Sequence, residues 1–477
     1  MISLRDVSFT YPGGTGEGIL AGINLDIDTG EWVALTGGNG SGKSTLCRLI
    51  AGLAKPSGGS VTVDGSMLYH GTAACGDGIS VGITFQNPDS QFCTATVRRE
   101  ILFGMENIGL DETVLAARLE ELGAVFALAG LLERNPHTLS GGEKQRVALS
   151  SVWAMYPRHL VLDEPCSFLD PPSRRSFQAN VRSTVHDGGV TVVWATLDPC
   201  ELALAGRVIC LEGGRIVYDG PPDTPPGSLP EHVLAHDGFS VIGGYGGVKQ
   251  PLGVGEAMPA SVVDIEDAEF RPGNGDFRLH IDNLSLTGGE AVGVLCPSGS
   301  GKTTLLLACS GLLPPLRGSA TILGKAIRSR NDFPAGRVAL LFQIPEDGFF
   351  ASTVFEEVAL GYRSFHGRRG EREAISQALA MVGLEPERFL GRSPFHLSQG
   401  QKRLVSIASM LVLPAEMYLF DEPTLFLDGR SLQCVVDAIR RLRERGVSIV
   451  IASHEPAFLR CITDRVITLD RGRIVGE

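Results

Sequence analysis

The chain repeats itself. A glycine-rich loop ending in Lys43 returns at Lys302, 259 residues on, and Phe85-Gln86 returns as Phe342-Gln343 after 257. Leu139-Ser140 recurs as Leu397-Ser398, Asp163-Glu164-Pro165 as Asp421-Glu422-Pro423, and Gly214-Arg215-Ile216-Val217 as Gly472-Arg473-Ile474-Val475, each 258 residues later. Short motifs kept in one order at a nearly constant offset mark two copies of one domain. The 477 residues therefore read as a first domain over residues 1–222, a linker over 223–261 and a second domain over 262–477. The linker is inferred from Pro225-Pro226 and Gly243-Gly244-Tyr245-Gly246-Gly247, which sit in a stretch with neither helical nor strand period.

Within each copy, apolar runs (Glu31 to Thr36, Glu290 to Leu295) lead into glycine-rich turns and then into helix-like segments. His159-Leu160-Val161-Leu162 and Met417-Tyr418-Leu419-Phe420 are nearly continuous apolar runs, as buried parallel strands require. This alternation predicts an α/β fold with a parallel-sheet core in each half. Gly37-Gly38-Asn39-Gly40-Ser41-Gly42-Lys43-Ser44, followed by Thr45, satisfies G-x-x-x-x-G-K-[ST] between a strand and a helix, the context that identifies a phosphate-binding loop. Its backbone N–H groups and the helix N-terminus attract phosphate; Lys43 is expected on the β- and γ-phosphates and the Ser44 hydroxyl on Mg2+. The second loop, Cys296-Pro297-Ser298-Gly299-Ser300-Gly301-Lys302-Thr303, followed by Thr304, has Cys296 where the first glycine belongs. Nucleotide binding is still expected there, because Ser-Gly-Ser-Gly-Lys-Thr is intact.

A carboxylate at the end of a hydrophobic strand is needed to hold the metal of a phosphate loop, and Asp163 and Asp421 occupy that place. Glu164 and Glu422 follow them and are the candidate bases for the attacking water. Net charge is −12, which argues against a protein whose affinity comes from neutralising nucleic-acid phosphates, so no nucleic-acid partner is expected. Ten cysteines without a C-x-x-C pair suggest neither a zinc site nor a disulfide framework. There is no run of about 18 apolar residues, and Met1 leads straight into the strand-like Ile2 to Val7. The expectation is a soluble, unsecreted chain whose membrane role, if any, comes through a partner.

Leu139-Ser140-Gly141-Gly142-Glu143-Lys144-Gln145-Arg146 resembles the signature motif of ABC ATPases, and Leu397-Ser398-Gln399-Gly400-Gln401-Lys402-Arg403 resembles a variant of it. The segments around Gln86 and Gln343 resemble the family's Q-loops, and Ser167-Phe168-Leu169-Asp170 and Leu425-Phe426-Leu427-Asp428 its D-loops. The resemblance implies two tandem ABC nucleotide-binding domains, each with a parallel-sheet core and a helical subdomain, that bind ATP and Mg2+. It further implies that the halves pair, with each ATP between one half's phosphate loop and the other half's signature, where Ser140 and Gly142, or Ser398 and Gly400, contribute. Gln86 and Gln343 join the nucleotide and metal contacts by the same resemblance. Family members carry a switch histidine after a late strand; His454 fills that place in the second half, whereas Leu197 stands there in the first. Leucine offers no hydrogen bond, so the site of Lys302, Asp421, Glu422 and His454 is expected to carry most hydrolysis. Tyr11 is either an adenine-stacking platform or a surface turn residue. Phe270 is either its counterpart or the match of Phe9.

Phe85-Gln86-Asn87-Pro88-Asp89-Ser90-Gln91-Phe92 resembles the Q-loop region of the energy-coupling factor importers, which take up vitamins and metal ions. That resemblance implies an integral-membrane coupling subunit, a substrate-binding membrane subunit and a peripheral position on the cytoplasmic face of the membrane. A fused sugar-importer ATPase and a soluble tandem ABC protein acting on ribosomes or nucleic acid are the competing readings. Phe349 and Phe350 are candidates for a docking groove or for core packing.

Overall fold

Alternation fixes the first strand: along β1 (Ile2–Phe9), Ile2, Leu4, Val7 and Phe9 are buried while Arg5 and Asp6 face out. In the computed structural model, which describes residues 1–11, 18–67, 80–167, 169, 171–222, 261–273, 277–297 and 299–476, β1 pairs antiparallel with two strands. These are β2 (Leu20–Ile27) and β4 (Gly58–Val63), and the short β5 (Ser66–Met67) completes a sheet of order β2-β1-β4-β5. The second sheet of the first unit contains β3 (Trp32–Thr36), β6 (Val81–Thr84), β7 (His159–Asp163), β8 (Thr191–Ala195) and β9 (Arg207–Glu212), all parallel. An antiparallel β10 (Arg215–Gly220) edges it, giving the order β10-β9-β3-β8-β7-β6. Every residue of β7 and β8 is buried, as a sheet covered on both faces demands.

The chain divides into two units, Met1–His236 and Asp237–Glu477. The second repeats the plan with β11 (Ser261–Phe270), β12 (Leu279–Thr287), β13 (Ala291–Leu295), β14 (Arg317–Ile322), β15 (Lys325–Ala326) and β16 (Val338–Leu341). It continues through β17 (Met417–Asp421), β18 (Ser448–Ser453), β19 (Arg465–Asp470) and β20 (Arg473–Gly476). Here a pairing of His280 with Arg473 joins the two sheets into one, of order β15-β14-β11-β12-β20-β19-β13-β18-β17-β16. The parallel cores match the sequence reading. The antiparallel layers were not foreseen in it, because their alternating strands carry no motif. Ser261, expected in the linker, instead opens β11, where its backbone pairs with Thr287; residues 223–260 and Phe168, Asp170 and Ser298 lie outside the described residues.

Two hydrophobic layers flank each parallel sheet. In the first unit, Leu46, Leu49 and Ile50 of the helix Lys43–Ile50 pack with Ile2 and Leu4 of β1 and with Val33, Leu35, Val161 and Val193. On the opposite face, Leu160, Leu162 and Trp194 meet Ile101, Leu122 and Val147 from the helices Val97–Asn107, Glu112–Val125 and Gly141–Trp153. Those three helices form the expected helical subdomain, and Val354–His366, Glu371–Met381 and Gln399–Leu411 form its equivalent in the second unit. The phosphate-loop helix is thus clamped between two sheets, while the signature helix lies on the far side.

One device recurs in both antiparallel layers. Asp6 and Asp267 adopt φ of 48° and 43°, bulging toward Gly59 and Gly318, whose own φ is 77°. A Cβ on Gly318 would lie 2.1 Å from the Asp267 carbonyl oxygen. Replacing Gly318 by Ala is therefore expected to destabilise the second unit by about 2–4 kcal/mol, strain and overpacking combined. Gly65→Ala, at φ 77° with nothing within 4 Å of the new Cβ, should cost only about 1 kcal/mol. Urea unfolding of the two variants measures the difference.

Candidate functional site

Both phosphate loops leave the C-terminal end of a buried parallel strand and enter a helix: β3 feeds Lys43–Ile50, and β13 feeds Lys302–Ser310. Gly37 has φ 140°, and a Cβ built on it would meet the Leu211 carbonyl oxygen at 2.1 Å. Cys296 fills the matching position by turning inward, where its thiol, 1% exposed as a residue, donates to the Val294 carbonyl at 3.5 Å. Burial raises that thiol far above its ordinary pKa, so it stays protonated and unreactive. The loop then runs on through Gly299, Ser300 and Gly301 to Lys302 as its counterpart runs through Gly38, Asn39, Gly40, Ser41 and Gly42 to Lys43.

The lysines differ in what they hold. Lys43 donates to the carbonyls of Gly37 and Gly38 at 2.7 and 3.3 Å, within its own loop. Lys302 instead donates to Glu422 Oε1 at 2.5 Å. Burial alone would raise the Glu422 carboxyl, but His454 and Lys302 outweigh it and hold the group at about 2. His454 Nδ1 lies 3.0 Å from the same oxygen, and the Ser453 hydroxyl donates to the other at 3.1 Å. In the first unit Glu164 accepts from the Gln86 amide at 2.7 Å and from the Ser167 hydroxyl at 3.1 Å. Gln86 thus engages the expected base; Gln343 enters through its backbone carbonyl, which accepts from Arg403 at 2.8 Å.

Glu164 and Glu422 share a feature that no motif announces: φ of 48° and 49°. A non-glycine residue in the left-handed region costs on the order of 1–3 kcal/mol and persists only where the surroundings enforce it. Here the enforcing contact is a backbone hydrogen bond of 2.9 Å from each glutamate N–H to the neighbouring strand, at Ala195 or Ala452. The turn aims the carboxylate away from the strand axis while the preceding aspartate continues it.

Those aspartates meet the loop hydroxyls: Ser44 donates to Asp163 at 3.1 Å, and Thr303 to Asp421 at 2.6 Å. Burial pushes both carboxyls up to about 6. Asp421 Oδ1 is buried with no hydrogen-bond partner among the described residues. A hydroxyl, a desolvated carboxylate and an unsatisfied oxygen fit Mg2+, a hard cation with few protein ligands. Ser44 with Asp163, and Thr303 with Asp421, would hold it, and there it would offset phosphate charge on a bound nucleotide.

Where the first unit lacks the histidine, a different network stands. Leu197 is buried, and beside it Glu201, 4% exposed, accepts from the Thr196 hydroxyl at 2.5 Å and from Trp194 Nε1 at 3.0 Å. Trp194 stacks on Trp32 with ring centroids 5.7 Å apart. The matching position to Glu201 in the second unit is the core residue Phe458. Among the described residues, the first site thus has a buried leucine beside a buried glutamate where the second has an imidazole and a phenylalanine.

Ser140 and Ser398 each cap a signature helix. The Glu143 side chain accepts from Ser140 N at 2.8 Å while Glu143 N donates to Ser140 Oγ at 3.4 Å, and Gln401 repeats both bonds with Ser398 at 3.2 and 3.3 Å. Gly142 and Gly400 are buried in the first turns. Tyr11 stands against the first phosphate-loop helix, its hydroxyl 3.3 Å from Thr45 Oγ1 and accepting from Arg48 at 3.2 Å. Phe270 is fully buried at the end of β11, so it matches Phe9 and offers no platform. Pro297 and Thr303 are exposed and Thr304 is buried.

The ABC transporter family model matches residues 20–167 and 279–425, covering both phosphate loops and both aspartate–glutamate pairs. This chain belongs to the ABC transporter family. It is an ATPase of two fused ABC domains. A "Putative ABC transporter ATP-binding protein" of Bifidobacterium longum is 32% identical over 98% of the chain, which spans 64% of that longer protein. One of the same name from Treponema denticola is 31% identical over 100% of the chain and 97% of its own length. In fold alone the chain is similar to an archaeal ribosome recycling factor solved with a ribosomal stalk protein (TM-score 0.59, 21% identity, 99% of this chain and 90% of that one).

Sequence reasoning missed Arg403, Ser453 and Glu201. A position-by-position comparison of the two halves would have exposed the first, since Gln145 stands where Arg403 does. For the metal, ATP with Mg2+ is expected to raise the melting temperature of the protein several degrees above ATP with EDTA. Asp421→Asn should remove at least half of that gain; differential scanning fluorimetry reads it.

Proposed function

We propose that this ATPase powers a membrane importer of the energy-coupling factor type, for a vitamin or a metal ion. The observation that carries the reading is the build of the segments after Gln86 and Gln343. Residues Pro88–Ser90 form a short 3-10 turn capped by Asn87, and Asp89 is tied to Lys144 of the signature helix at 2.6 Å and to His137 at 3.0 Å. In the second unit the Glu357 carboxylate accepts from Phe350 N and Ala351 N at 2.8 and 2.7 Å. The Phe350 ring is left 82% exposed, while Phe349 is buried in the core. A large apolar side chain held out on a pinned loop suits a partner helix. No helix of the described residues is long and apolar enough to cross a membrane; the partners proposed in this reading are an integral-membrane coupling subunit and a substrate-binding membrane subunit, with this chain peripheral on the cytoplasmic face.

In this reading the halves pair, and each ATP lies between one phosphate loop and the opposite signature serine. Phosphate entering the second loop draws Lys302 away from Glu422. The freed carboxylate, still ionised beside His454, orients the attacking water and accepts its proton. The first site holds ATP through Lys43, Ser44 and Asp163 but has Leu197 in place of the histidine, so it turns over slowly.

Glu422→Gln is expected to lower steady-state turnover by about 100-fold or more, as loss of a general base does, and Glu164→Gln by less than about 5-fold. Equal losses would overturn the asymmetry. For the transport role, tagged protein extracted from membranes should bring down small integral-membrane proteins. Recovery with ribosomes and without membrane proteins would instead support the soluble alternative.

A further inference from the structure

Arg403 sits in the signature helix Gln399–Leu411 and is fully buried. Its guanidinium donates to the carbonyls of Phe342 at 2.5 Å, Gln343 at 2.8 Å and Glu422 at 3.0 Å. The first two lie just beyond β16 and the third in the left-handed turn that aims the base. One side chain on the helical subdomain therefore grips both the Q-loop and the backbone of Glu422. The fork geometry of guanidinium suits this task, since its donors are fixed in one plane. At the matching position of the first unit, Gln145 is 1% exposed and its Nε2 has no hydrogen-bond partner among the described residues. The joint is built in the second unit and not in the first.

We propose that Arg403 is a positioning residue that couples the N-terminus of its helix to the catalytic carboxylate of the same unit. Ser398 caps the helix five residues earlier, about 7.5 Å along a rigid rod, so a displacement at Ser398 moves the fork. Resting on the pairing proposed above, Ser398 meets the ATP held by Lys43, whereas Glu422 serves the ATP held by Lys302. Arg403 then reports occupancy of the slow site to the hydrolytic one. Gln145 provides no reciprocal fork, so the report runs in one direction.

The φ of Glu422 explains why such a contact matters. A residue held in a strained conformation by its neighbours relaxes when one of them is lost. The Glu422 N–H is fixed by Ala452, and its carbonyl is fixed by Arg403. Losing the second restraint leaves the turn free to rotate about the first, which displaces the carboxylate without unfolding the strand.

A double-mutant cycle on the full chain tests this. Arg403→Gln, which installs the first unit's residue, should lower kcat by about 10- to 100-fold, the cost of misplacing a reacting group by up to an ångström, with KM for ATP within about two-fold. Arg403→Lys, keeping charge and donors, should recover part of the loss. Lys43→Ala, which empties the first site, should lower kcat in the otherwise unaltered chain but by less than about two-fold when Arg403 is already Gln, because the effects share one route. Losses that multiply would overturn the coupling while leaving the pairing intact. If Lys43→Ala alone leaves kcat unchanged, the pairing itself falls, and the coupling with it. Turnover is expressed per site titrated with a fluorescent ATP analogue, so unfolded chain does not count. Arg403→Met, apolar and of suitable length for a buried position, repeats the cycle should the Gln variant not fold.

Discussion

Everything in each half depends on how a fully buried parallel strand ends. β7 and β17 carry their carboxylates to the very edge of the apolar interior, where an aspartate loses most of its water and a glutamate is forced into a left-handed turn. Desolvation makes Asp163 and Asp421 receptive to a cation, and the turn swings the neighbouring glutamate out of line with them. The flanking layers can be understood as what keeps that edge in place. Two sheets clamp the phosphate-loop helix on one side, and three helices cover the other. Strain at a single residue is tolerable because so much packing surrounds it.

Comparison of the halves shows which parts of the site are framework and which are adjustable. The hydroxyl–aspartate pairs, the capped signature serines and the φ of the glutamates are the same in both. The partners of the glutamates are not: an amide and a hydroxyl hold Glu164, whereas a lysine, a serine and a histidine hold Glu422. Of these partners, His454 and Lys302 hold Glu422 well below the usual carboxylate range. Duplication has kept the geometry and let the electrostatics diverge.

The parts of this arrangement legible in the sequence were those whose chemistry is local. A glycine-rich loop ending in Lys43, an acidic pair closing an apolar run, and a serine opening a helix each state their role within a few residues. The antiparallel layers were hidden, since alternation in β1 or β11 says that a strand exists but not which sheet it joins. Arg403 was hidden for another reason. In sequence it is one basic residue in a helix, and its three acceptors lie 61, 60 and 19 residues away. Glu201 reads as a surface acid by composition, yet Trp194 and Thr196 bury it through contacts that only the fold creates. Phe349 and Phe350, identical neighbours in sequence, part company in space because the Glu357 carboxylate fixes the loop between core and solvent.

The stacked pair Trp32 and Trp194 has an optical consequence. The chain has three tryptophans, Trp32, Trp153 and Trp194, and all lie in the first unit. Trp194 is the penultimate residue of its strand, three residues before the buried Leu197, with its indole N–H on Glu201. Intrinsic emission excited at the red edge of protein absorbance therefore originates in the first unit. Two of these native chromophores, stacked on each other, thus stand on the strands that lead to Lys43 and to the leucine in the histidine's place.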